Sequence, residues 1–235
     1  MRQTLREEAA APVAAPSTDR RTLRTRRALR DALASEIERT GDLSQVTVTG
    51  VADVAGVTRR TFYSHFRDIP DLVCSIEDQT VADLRPLVGR ISETHLADLE
   101  RAIRHVAPCP GAKDVLDYFK RRPYLAPLLG EGGDPAFSGR IKAMVHEVMR
   151  ERALDGLDLR AVPFFDYYLT FAISAEVGVL VRWLQNGMRE PTAVMARVMT
   201  MLMFVRPGDL YGKSLEFDAN ALGQELTADK GKETR

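Results

Sequence analysis

The sequence predicts an all-α protein, on three observations. Apolar residues return at three- and four-residue intervals, as in Leu29, Leu33 and Ile37 with Ala32 beside them. β-Branched residues rarely alternate with polar ones for more than a few positions, so strands are hard to find. Gly and Pro punctuate the later chain between helical runs, in "APCPGA" and "GEGGDP". With 235 residues, 45% of them hydrophobic and 28% charged, the chain has the composition of a globular protein with a sizeable core.

Each element has its own signals. The opening "MRQTLREEAAAPVAAPSTD" carries charges where a secretory signal would carry an apolar run, and reads as a disordered Ala/Pro arm over 1–19. A first helix is predicted over about 22–40, with Gly41 as its stop. A short second helix follows Thr47 as N-cap, turns Val51, Val54 and Ala55 inward and ends at Gly56. Thr58 caps a third that reaches Phe66. The fourth starts near Asp68, where Pro70 suits a first turn and Asp71 complements the helix dipole, and runs to about 88. Further helices are predicted near 94–106, 112–121, 124–129, 136–152, 163–186 and 191–205. The tail, 206–235, is polar and Gly-studded and reads as irregular with at most one short helix.

Formal net charge is +0, but the sign is uneven: residues 1–67 hold 12 basic against 8 acidic side chains, and residues 68–235 hold 21 against 25. A basic front on an acidic remainder suits a polyanion-binding module joined to something else. Its centre is "VTRRTFYSHF", residues 57–66. Phe62 and Phe66, four apart, share the inward face of the third helix, which turns Arg59, Arg60 and Tyr63 outward together. The second and third helices are separated by "GV", with a glycine able to take the left-handed turn, and this is the helix-turn-helix arrangement. Arginine's planar fork bonds guanine O6 and N7 or clamps a phosphate, and Thr, Tyr and His donate to phosphate oxygens.

The stretch "VTVTGVADVAGVTRRTFYSHFRDIPDLV" resembles the DNA-binding signature of the TetR family of bacterial transcriptional regulators, a likeness that covers roughly residues 20–75. The cap Thr47, the "ADVAGVT" turn, the "TFYSHF" helix and Leu72 all fall in family register. The resemblance implies an all-α homodimer whose small N-terminal reader, here 20–67, binds a palindromic operator. It implies a larger helical part, here 68–205, that binds a small-molecule inducer and dimerises through its last two long helices. "YYLTFAISAEVGVLVRWLQNGMREP" and "LLGEGGDPAF" resemble the family more diffusely and name no ligand. The candidate DNA contacts are Thr47, Thr49, Thr58, Arg59, Arg60, Thr61, Tyr63 and His65. The chain departs from the family pattern at Gly50, where an acidic or amide residue is usual, and at Ile69, where a lysine on phosphate is usual. Arg20, Arg21, Arg24, Arg26 and Arg27 are positioned to supply compensating phosphate contacts.

For the effector, the aromatic and Met set Tyr118, Phe119, Tyr124, Phe137, Met144, Met149, Phe165 and Tyr168 reads as core that also suits the lining of a drug-sized cavity. For the dimer, Ala175 and Gly178 offer a flat face beside Val179, and Val198, Met199 and Leu202 supply a neighbouring stripe. No catalytic, cofactor or metal site is expected. His95, His105 and His146 are scattered, and GxSxG, HExxH and a Gly-rich loop followed by Lys are all absent from the sequence. Cys74 and Cys109 are too few for a disulfide framework and fit a reducing cytoplasm, with Cys109 in "PCPG" accessible to oxidants. The most apolar stretch, 164–184, contains Asp166, Glu176 and Arg182, which argues against a membrane span. The function expected is a ligand-responsive regulator, as repressor or activator. The alternative is an all-α enzyme or lipid-binding protein with a coincidental helix-turn-helix.

Overall fold

The structure is a computed structural model that describes residues 17–105, 107–151, 153–154, 157–158 and 164–203. The arm over 1–16 and the tail beyond 203 lie outside the described residues. The helices are α1 (Ser17–Thr40), α2 (Val48–Val54), α3 (Arg59–Tyr63), α4 (Ile69–Ser92) and α5 (Leu96–Arg104), then α6 (Ala112–Lys120), α7 (Leu125–Leu129), α8 (Pro135–Arg150), α9 (Phe165–Gln185) and α10 (Thr192–Leu202). A 3-10 turn, Leu43–Gln45, lies between α1 and α2. Every predicted helix is present with ends shifted by a few residues. α1 begins at Ser17, inside the stretch read as arm, and α4 runs through Pro86 to Ser92 rather than ending near 88. One feature was not expected, a two-residue antiparallel pairing of β1 (Ala153–Leu154) with β2 (Leu157–Asp158).

The caps follow from residue chemistry. Thr47, Thr58, Asp68 and Asp134 each have extended backbone, and each accepts an N–H of the first turn it precedes, at 2.7–3.1 Å. Pro70 and Pro135 occupy first-turn positions whose N–H would have no helical partner. Gly41 and Gly56 close α1 and α2 with φ of 74° and 65°, in the left-handed region where a Cβ is costly.

Packing pairs α1 with α2 and α7, α4 with α6 and α8, α8 with α9, and α6 with α10. One hydrophobic cluster runs through all of these, from Leu29, Leu33 and Phe62 at one end to Phe119, Phe137, Trp183 and Met195 at the other. Among the described residues, no helix is long and apolar enough to cross a membrane. Val54 is a correction: it projects into solvent, and Ala52 is buried instead. The inward face of α2 runs 48, 51, 52, 55, the i, i+3, i+4, i+7 series, and residue 54 lies off it.

Candidate nucleic-acid interface

The reading head is built on Phe62, which is fully buried, and Phe66, 6.0 Å away between ring centroids. The rings of Tyr63 and Phe62 pack nearly perpendicular with centroids 5.7 Å apart, so the exposed tyrosine is braced by its buried chain neighbour. α3 is regular only over Arg59–Tyr63 and not to Phe66. Beyond it, the Phe62 carbonyl accepts both His65 N and Phe66 N, a tight turn that brings Phe66 back into the core.

Arg59, Arg60 and Tyr63 are exposed together, with Ser64 beside them. Thr47, Thr49 and Thr58 are also exposed, whereas Thr61 and His65 are half-buried. The hydroxyls are partly committed. Thr47 Oγ1 accepts Gly50 N, Thr58 Oγ1 accepts Thr61 N, and the Thr58 and Thr61 hydroxyls lie 2.9 Å apart. Of the α1 arginines, Arg20, Arg21, Arg24 and Arg27 are exposed, and the guanidinium of Arg26 sits 5.7 Å over the Phe66 ring, tying α1 to the end of the reading head. Ile69 is buried in the core, so the fourth helix begins with an apolar anchor where the family pattern has a cation.

Three residues that sequence patterning passed over support this head. Glu36 on α1 is 3% exposed, bonded twice by Arg39 at 2.8 Å, and lies against the first turn of α2. The hydrogen bond from Arg39 holds its carboxyl below the usual range despite burial. Arg30, also on α1, donates to the Tyr124 hydroxyl at 3.3 Å with its guanidinium 4.9 Å over that ring. Tyr124, taken from the effector set, thus contacts the N-terminal helices. Glu77 on α4 is buried and bonded by Arg140 of α8 at 2.7 Å. A signal existed for both acids. Residues 29, 32, 33, 36 and 37, and 69, 72, 73, 76 and 77, are i, i+3, i+4, i+7, i+8 series, which place Glu36 and Glu77 on apolar faces.

The rest of the effector set divides. Tyr118, Phe119, Phe137 and Met144 are buried in the common core, and Met149 and Phe165 pack against it half-buried. Tyr168 lies on the exposed side of α9. Tyr118 donates to Asp83 at 3.1 Å under the stacked guanidinium of Arg122, a polar contact inside the α4 and α6 packing. The dimer set divides too. Ala175, Gly178, Val198 and Leu202 are exposed, while Val179 and Met199 turn toward the core. Tyr167, Phe171 and Val194 join the open face unforeseen. Burial pushes the Glu176 carboxyl, beside this face, up to about 7. No group of three or more metal-ligating side chains assembles among the described residues.

The family model for the TetR-type transcriptional regulator C-terminal region matches residues 108–204. No curated protein matches the chain by sequence. Among solved structures, the fatty acid degradation regulator FadR from Bacillus halodurans shares the fold, with a TM-score of 0.52 and 14% identity over 76% of this chain and 94% of that one. FadR from Thermus thermophilus, a TetR-family repressor solved with lauroyl-CoA, is similar with a TM-score of 0.44 and 20% identity over 84% of this chain and 97% of that one. The matched regulator region follows a helix-turn-helix in one continuous helical fold, and over residues 108–204 the chain is similar to the C-terminal region of TetR-type transcriptional regulators.

Proposed function

We propose that this chain is a homodimeric DNA-binding regulator of the repressor type, which holds a palindromic operator and releases it when a small molecule binds among the helices after residue 67. The observation that carries this reading is the outward row Arg59, Arg60 and Tyr63 on a buried Phe62 and Phe66 stem. Arg60 serves as a base reader in the major groove. Tyr63, Thr47, Thr49 and Thr58 bond phosphates, with Arg59, Thr61 and His65 beside them. The exposed arginines of α1 add charge that neutralises the DNA backbone.

The second copy docks on the open faces of α9 and α10. Tyr167, Phe171 and Val198 there are 78%, 72% and 41% exposed, which is a large apolar area to leave in water. A two-fold dimer sets two α3 helices on half-sites about one helical turn or a multiple apart. The effector acts by differential affinity for two arrangements of the C-terminal helices, and the α1 contacts with α7 carry the difference to the reader. The buried aromatic set around Phe119, Phe137 and Met144 is where such a ligand would insert. The protein works in the cytoplasm, with DNA, effector and its own copy as partners.

Gel retardation with the DNA upstream of the protein's own gene tests the reading. A discrete shifted band that survives excess random DNA is the expected result. Retardation that random DNA abolishes would leave only charge-driven binding and remove the operator from this account.

A further inference from the structure

Between the turn after α1 and the loop before α8 lies a cleft of about 610 Å³, within the size range of small-molecule sites. Among the described residues its lining holds the acids Asp42, Glu77 and Asp134 and no Lys, Arg or His. Leu43, Val46 and Val73 give it an apolar wall. None of the aromatic and Met residues discussed above for the effector lines it.

The acids are unequally satisfied. Asp42 and Asp134 each accept a backbone N–H, from Ser44 at 2.8 Å and from Ala136 at 2.7 Å. The Glu77 side chain is only 5% exposed, and its Oε2 accepts from Arg140 at 2.7 Å, while its Oε1 is closed to water and has no donor. Arg140 does not reach that oxygen, since its second amino group is bonded to Asp78. A buried charged acceptor left without a donor is costly. Burial accordingly pushes the Glu77 carboxyl above its ordinary value, against the pull of Arg140.

We propose that this cleft is a binding site for an amphipathic organic cation, a protonated amine whose ammonium donates to Glu77 and whose hydrocarbon body lies on Leu43, Val46 and Val73. The acid surplus calls for positive charge, the orphaned oxygen for an N–H, and the wall for hydrocarbon. The terminal torsion of a glutamate is soft, so an ammonium in the cleft can draw Oε1 outward while Arg140 keeps Oε2. A bare divalent ion fits less well, because no group of three or more metal-ligating side chains assembles among the described residues. The site also bridges two parts of the fold. Its residues 42–46 lead into α2, and Leu43 N donates across to Gly132 O at 2.7 Å. An occupant therefore adds contacts between the helix-turn-helix and the helices behind it. That consequence for DNA rests on the reader role proposed above; the site itself does not.

Isothermal titration calorimetry of the full-length protein without DNA tests the site with two probes, phenylbutylamine and the neutral phenylbutanol. The amine should bind saturably and the alcohol about tenfold or more weaker, the difference that a hydrogen bond between charged groups makes. Glu77→Gln leaves Arg140 an acceptor, and Asp134→Asn keeps the helix cap. Amine affinity should fall by about tenfold in Glu77→Gln, and by about threefold in Asp134→Asn through the lost charge, with the alcohol unchanged in both. If a melting curve shows that Glu77→Gln does not fold, Asp134→Asn carries the comparison. Absence of saturable amine binding overturns the site, as does an alcohol that binds equally well or an amine affinity unchanged in a folded variant. Failure here leaves the gel-retardation result untouched, so the two readings fall separately.

Discussion

The carboxylate of Glu36 in α1 occupies the space in which a side chain on residue 50 of α2 would begin: a Cβ there would lie 2.3 Å from Glu36 Oε2. In isolation a glycine at this position only weakens the helix. Packed against a buried acid that Arg39 holds by two bonds, it is what lets α2 approach α1. Glu36 also sets negative charge at the positive end of α2, where the family pattern has an acidic or amide side chain on α2 itself.

Gly50→Ala therefore tests two opposed effects. Helix propensity would favour alanine by about 0.5–1 kcal/mol, while overpacking costs about 1–3 kcal/mol. The expected net is a loss of stability in urea unfolding, recovered when Glu36→Ala is added to the same chain. A Gly50→Ala protein more stable than wild type would mean that Glu36 swings aside at no cost.

Phe62→Ala removes the fully buried ring beneath Tyr63 and should cost about 3–5 kcal/mol. DNA binding is expected to disappear together with a lowered melting transition. Unchanged melting with lost binding would assign Phe62 to the DNA surface, against its burial.

Much of this was legible in residue periodicity, and the misses have physical reasons. The helices and their caps follow from local chemistry: Thr47, Thr58, Asp68 and Asp134 bond their first turns as side chains of those types do. Val54 was misplaced because one seven-residue helix fits two apolar faces, and only tertiary packing chooses Ala52. Glu36 and Glu77 were passed over because charge argues for solvent. Both sit on apolar faces, where a bonded arginine makes burial tolerable: Arg39, three residues on, for Glu36, and Arg140, 63 residues away in the chain, for Glu77. Tyr124 was assigned to a ligand cavity on composition alone, whereas its hydroxyl bonds Arg30, 94 residues away in the chain. Contacts of that range leave no periodic trace.

Arg60→Ala and Tyr63→Phe should separate base reading from phosphate positioning. Losing the arginine is expected to cost roughly 1–3 kcal/mol on the operator and to flatten base preference. Losing the tyrosine hydroxyl should weaken operator and random DNA alike. Competition titrations on both DNAs decide, and equal losses on the two from Arg60→Ala would reassign that residue to the backbone.

Glu176 supplies a pH dependence of its own. Its carboxyl titrates at about 7 because burial disfavours the charge, so the folded state binds that proton more tightly than the unfolded chain. The stability it contributes is present below the ordinary carboxylate range and lost as pH rises through about 7. Glu176→Gln should accordingly be more stable than wild type above that pH, by roughly 1–3 kcal/mol, with the gap closing toward acid. Parallel stability curves over the whole range would show that the carboxyl is solvated.

Gly178→Arg tests the dimer, and the geometry makes the test clean. Gly178 is exposed on the open face of α9, and a Cβ there would meet nothing within 4 Å, so an arginine is free of clashes within one chain. Helix propensity even favours it, by somewhat less than about 1 kcal/mol over glycine. In a second copy docked on Tyr167, Phe171 and Val198, the same arginine would bury an unpaired charge, which is strongly destabilising. The expected outcome is a protein that melts no lower as a monomer, sediments as one, and binds operator at the level of random DNA, because a single reader cannot span two half-sites. A variant that stays dimeric with operator affinity intact would move the interface off α9. A monomer that keeps full operator affinity would break instead the link between two-fold symmetry and DNA recognition.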